Sequence, residues 1–93
     1  MAEVLSGERL RQEFGRRVKR RRMMLGLNQP ELEKVSGIKQ EHISRMERGK
    51  YHAMNLDTLV KLAASLDTSL DYLLARSDEP GPIPFEENAV AVA

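Results

Sequence analysis

Six cations crowd into seven positions of this chain: Arg16, Arg17, Lys19, Arg20, Arg21 and Arg22. Side chains of that kind hold phosphate or carboxylate groups and perform no bond chemistry by themselves. Charge is also segregated along the sequence. Residues 1–50 carry thirteen Lys and Arg against seven Asp and Glu, while residues 51–93 carry two against seven. The net charge of +1 hides this split. Such asymmetry points to a nucleic acid or an acidic membrane facing the first half. A solvated helix face is the simpler reading of the basic run taken alone. A second polar set follows, in which Lys39, Gln40, Glu41, Ser44, Arg45 and Arg48 share one face while Ile43 and Met46 share another. These are hydrogen-bonding types, donors and acceptors mixed, able to pair with the edges of flat polar groups.

Catalytic chemistry finds no support. His42 and His52 stand ten residues apart, with no cysteine and no flanking ligand spacing, so no metal site is expected. Ser44 has no base arranged beside it as a nucleophile needs. Asp67 and Asp71 read as a helix cap and a solvated residue. Met23, Met24, Met46 and Met54 read as gap fillers of a core or interface. The chain is therefore read as no enzyme, with no cofactor. The absence of cysteine fits a reducing compartment. No apolar run approaches the roughly 18 residues that span a bilayer, and no signal peptide is recognisable, so a cytoplasmic location is expected. Binding of the basic run to anionic lipid as an amphipathic segment is disfavoured, because the apolar residues between the arginines are needed for the core.

Helices must position these groups. Leu10, Phe14 and Val18 recur every four residues, with Leu25 two turns beyond, giving a first helix over about residues 8–25. Ser6 is its expected cap, and Leu5 with Leu10 its hydrophobic staple. Asn28 caps a second helix that has Pro30 and Glu31 in its first turn and Gly37 at its end. Leu32 and Val35 are its expected apolar contacts. A third helix spans about Lys39–Arg48. Asn55 caps a fourth, with Leu56, Leu59, Leu62, Ala63 and Leu66 as the buried stripe. A short fifth carries Leu70, Leu73 and Leu74 and ends near Arg76. Pro80, Pro82 and Pro84 forbid helix thereafter. The sequence divides into a helical extension (1–13), a compact helical unit (14–76) and a tail (77–93) that is either flexible or docked on a second subunit. The whole is all-α with five helices.

Two short helices joined through a glycine turn and preceded by a basic helix make a helix-turn-helix. The second helix of such a pair docks through an apolar face and offers polar side chains to the DNA major groove. The residues that carry this pattern resemble the lambda-repressor-like, Cro/C1-type family, also called the xenobiotic-response-element type. They are Phe14-Gly15, Val18 and Arg22, then Leu25-Gly26-Leu27-Asn28-Gln29 and Leu32. Ser36-Gly37-Ile38, Ile43-Ser44 and Glu47-Arg48-Gly49-Lys50 follow, and then Leu59, Leu62-Ala63, Leu66 and Leu70 through Leu74.

The resemblance implies roles for particular residues. Gln40, Glu41 and Arg45 would read base edges, since Gln suits adenine, Arg guanine and Glu cytosine. Gln29, Lys39, Ser44, Lys50, Asn55 and Arg21 would hold phosphates. Arg22 and Glu47 would form a partly buried ion pair between the first and third helices. The family pattern places alanine after Leu32, where this chain has Glu33, expected either to escape to solvent or to tilt the helix pair. It also places a proline in the loop that here reads Tyr51-His52-Ala53-Met54. By this resemblance the chain is a sequence-specific binder of double-stranded DNA, a homodimeric regulator and repressor acting at an inverted-repeat operator. The alternatives are an antitoxin of a toxin–antitoxin pair or a restriction–modification controller. A toxin or an anti-repressor is the protein partner those readings bring.

Overall fold

The computed structural model describes residues 5–51 and 54–79. Over these the chain is all helical: α1 Gly7–Met24, α2 Gln29–Ser36, α3 Gln40–Glu47, α4 Leu56–Ser65 and α5 Leu70–Leu73. Residues 7–13 are therefore the first turns of α1 rather than a separate element. Residues 80–93, which hold most of the expected tail, lie outside the described residues.

Each helix has a local reason to start or stop. α2 opens with a complete capping box: Glu31 N–H donates to Asn28 Oδ1, and Asn28 N–H donates to Glu31 Oε1, both at 2.8 Å. It closes on Gly37 at φ 78°, a left-handed conformation that glycine adopts without a Cβ clash. α4 and α5 are capped by Asn55 and Ser69, whose side-chain oxygens accept from Thr58 N–H and Tyr72 N–H. Ser6, by contrast, makes no side-chain cap bond to α1. α5 also ends at Leu73, before Arg76, in a turn whose Ala75 takes φ 60°.

Phe14 and Val18 of α1, Leu32 of α2, Ile43 and Met46 of α3, Leu62, Ala63 and Leu66 around α4, and Tyr72 and Leu73 of α5 form one core. Three expected core residues stay outside it. Leu56 is 77% exposed and Val35 58%, and Leu25, just past α1, is 39% exposed. Leu56 sits in the first turn of α4, and Val35 is the penultimate residue of α2. α1 and α3 meet at Gly15, where an added Cβ would collide with the Met46 carbonyl oxygen and lie 2.9 Å from that of Glu47. Only glycine allows the two helices to come this close.

Candidate nucleic-acid interface

The outer face of α3 is polar because its inner face is fully used. Ile43 and Met46 are 0% and 1% exposed, whereas Gln40, Glu41, Arg45 and Arg48 are exposed. The Arg45 side chain makes no hydrogen bond or ion pair among the described residues, so its guanidinium is available. Arg48 Nε donates to the Ser44 carbonyl, folding that side chain back along the helix. Ser44 is half-buried and Lys50 is exposed just past α3.

Behind this face a chain of polar contacts fixes α1, α2 and α3 to one another. Arg22 Nε and Nη2 donate to Glu47 Oε2 and Oε1 at 2.6 and 2.9 Å, a bidentate pair, and Nη1 donates to the Leu27 carbonyl. The Glu47 side chain is only 4% exposed and that of Arg22 11%. The bond to Glu47 raises the Arg22 pKa further, against the opposing effect of burial, so the guanidinium keeps its charge. Gln29 Nε2 donates to the same Glu47 Oε1 at 3.1 Å, and Gln40 Nε2 reaches Gln29 Oε1 at 3.4 Å. The ion pair thus orients the first residue of α2, and that residue orients the first residue of α3.

Glu33 is exposed, the first of its two expected outcomes, and it does more than meet solvent. Its Oε1 accepts from the Gln40 backbone N–H at 3.0 Å and caps α3, where the N-cap residue Lys39 supplies no side-chain bond. A carboxylate at that end also suits the helix dipole. The spacing Glu33 to Gln40 spans a turn, so no local capping pattern announced it. His42 packs its ring 5.3 Å from that of Tyr51 and ties α3 to the segment that follows.

The phosphate set is only partly brought together. Gln29, Lys39, Ser44 and Lys50 all border α3. Asn55 commits its side-chain oxygen to Thr58 N–H, leaving its backbone amide for any anion. Arg21 is a correction. It is 8% exposed, and its Nε and Nη2 donate to the Leu66 and Asp67 carbonyls, both at 2.9 Å. It satisfies the end of α4 and holds Asp67 in its left-handed conformation at φ 52°. A guanidinium buried and committed in this way is poorly placed to meet a phosphate. Arg17 is likewise internal: it bonds the Tyr72 and Ser77 carbonyls, pairs with Glu13 and Asp78, and lies 4.7 Å over the Tyr72 ring. Nothing in the sequence separated these two arginines from their exposed neighbours except the helical phase that puts 14, 17, 18 and 21 on one side.

A helix packed through its apolar side, with an open polar row and a second helix braced across its start, defines a DNA-reading helix-turn-helix. The chain belongs to the Cro/C1-type helix-turn-helix family, which matches residues 18–73. Its members are DNA-binding transcription regulators and not enzymes. A relative in Haemophilus influenzae, an uncharacterized HTH-type transcriptional regulator, is 42% identical over 55 residues, covering 59% of this chain and 55% of that one. The chain thus spans about half the length of this curated relative. Among solved structures, the restriction-modification controller protein C.AhdI of Aeromonas hydrophila superposes with TM-score 0.62 at 32% identity, over 68% of this chain and 94% of that one. A chain of the SinR protein/SinI protein complex gives 0.64 at 26% identity, over 85% of this chain and 77% of that one. The hypothetical transcription factor NHTF from Neisseria gives 0.66 at 22% identity, over 100% and 95%, and speaks for the fold alone.

Proposed function

We propose that the chain is a homodimeric, cytoplasmic transcriptional repressor that recognises an inverted-repeat operator in double-stranded DNA. The observation that carries this reading is the open row Gln40, Glu41 and Arg45 on a helix whose start is braced by the Gln40–Gln29–Glu47–Arg22 chain. Bracing matters because base readout needs side chains placed before DNA arrives. Arg45 would pair with guanine, Gln40 with adenine, and Glu41 would accept from cytosine. Gln29, Lys39, Ser44, Lys50 and the α4 amides at Asn55 would grip the flanking phosphates. Two copies would set their α3 helices in successive major grooves, about 34 Å apart on one face of the duplex. Occlusion of a promoter would then repress it.

A second reading, a restriction–modification controller, is favoured by the similarity to C.AhdI, which is matched over nearly its whole length. It uses the same contacts and differs in the genes served. The complex of SinR with SinI supports a protein partner for proteins of this shape. Selection from a random duplex library, at stated salt, tests the proposal. Enrichment of an inverted repeat supports it. Binding that is only general and salt-sensitive overturns it in favour of a partner-dependent module such as an antitoxin.

A further inference from the structure

α4 carries an apolar stripe that its own domain does not cover. Leu62 and Ala63 are 0% and 8% exposed, yet Leu56 is 77% exposed and Val60 57%, and Ala64 continues the same stripe. Residues at i, i+4 and i+8 lie one above another on a helix. Beside the stripe is a hollow of about 320 Å³ lined by Val60, Ala63, Thr68, Ser69, Leu70 and Asp71. On the other edge stand Asp57 and Lys61, both exposed and one turn apart.

We infer that this face of α4 is where two copies of the chain meet, their α4 helices antiparallel and Val60 on the two-fold axis. The inference rests on the homodimer proposed above and names its surface. The argument is self-complementarity, which a two-fold interface demands. Inverting the helix about Val60 keeps each flank on its own side and reverses position along the axis. With a rise of about 1.5 Å per residue, Leu56 then falls within about 2 Å, along the axis, of the partner's Ala63. A large side chain meets a small one at the rim of the hollow. On the opposite flank Asp57 comes within about 3 Å, along the axis, of the partner's Lys61, by the same rise. Each feature of the face finds its complement on the same face of a second copy. α4 packs against α2 and α5, so this pairing leaves the outer face of α3 open.

The sequence contains no cysteine, which makes cross-linking selective. In the full chain, Val60→Cys should oxidise to a covalent dimer, whereas Met23→Cys, at an equally exposed site on α1, should not. Asp57→Lys should weaken the dimer about tenfold by sedimentation, and adding Lys61→Asp should restore it, since two cross-pairs are reversed and then remade. Circular dichroism checks that helicity is kept, and both sites are exposed. If the wild-type chain is a dimer but neither result appears, α4 is the wrong face and the homodimer stands. If the wild-type chain is monomeric both free and on its operator, the homodimer falls and this inference with it.

Discussion

The contact on which both stability and reading depend most is the carboxylate of Glu47, and its removal can be worked through. Glu47→Ala deletes the acceptor of two Arg22 bonds and one Gln29 bond. Arg22 would then keep only the Leu27 carbonyl while remaining 9% exposed. Removing one partner of a buried ion pair costs about 3–5 kcal/mol, because the other charge is left uncompensated. Arg22 can swing partly to water, so a cost at or somewhat below the bottom of that range is expected, about 2–3 kcal/mol. For a domain of this size each kcal/mol moves the melting temperature by roughly 4–8 °C, giving a fall of about 8–24 °C. Thermal melting at fixed chain concentration reads this directly. The control is Arg22→Met combined with Glu47→Leu, which removes both charges and should recover most of the loss. That double variant should still bind DNA poorly, since Gln29 has lost its anchor. A fall below about 4 °C, worth under 1 kcal/mol by the same scale, would refute the buried-pair argument. So would a double variant no more stable than the single one.

Four further outcomes follow. Gly15→Ala should destabilise by about 2–3 kcal/mol in urea denaturation, because α1 and α3 must separate to admit the methyl group. Arg21→Gln should lower stability by about 1–3 kcal/mol by leaving the Leu66 and Asp67 carbonyls short of donors, yet leave the salt slope of DNA binding unchanged. Lys39→Ala should instead reduce that slope by about one and leave melting alone. Glu13 is held down to about 2 from 4.5, chiefly by the Arg16 hydrogen bond against the opposing effect of burial. Its folded pKa lies below the unfolded one, so its contribution is complete above about pH 4.5 and is lost as pH falls towards 2. An acid titration of stability should lose part of its slope in that window on Glu13→Gln.

The helices were legible because their signals are local. Asn28 with Glu31, Gly37 and Asn55 announce ends within four residues, and Ile43 with Met46 declare the docking side of α3. The errors arise where a distant partner decides. Leu56 fits the period of α4 but belongs to a turn that no neighbour covers. Val35 fits α2 but lies at its far end. Glu33 looked like a misfit for close helix packing, and its use as a cap for α3 depends on how the intervening turn brings Gln40 back to it. Of the candidate reading face, the polar side of α3 was visible from spacing, while the base-reading roles within it came from the resemblance alone. The bracing from Gln29 to Gln40 was not, because a side-chain bond across eleven residues leaves no trace in composition.

The basic run shows why charge density alone misleads. A helix leaves its last four carbonyls without intrahelical donors, and in a domain this small those ends lie close to the core. Arginine offers five donors on a planar fork and buries its stem at little cost. Arg21 serves the end of α4, Arg17 the end of α5 and Arg22 the Leu27 carbonyl beyond α1. Arg16 is held by Glu13 at 2.6 Å. Only Lys19 and Arg20 of the run stand exposed without such a bond among the described residues. The cations that remain for a polyanion cluster instead around α3, at Lys39, Arg45, Arg48 and Lys50. Half of the basic run, Arg17, Arg21 and Arg22, is thus a device for closing helices. Lysine could not substitute at Arg17, Arg21 or Arg22, because one ammonium group cannot reach two diverging acceptors in a fixed plane.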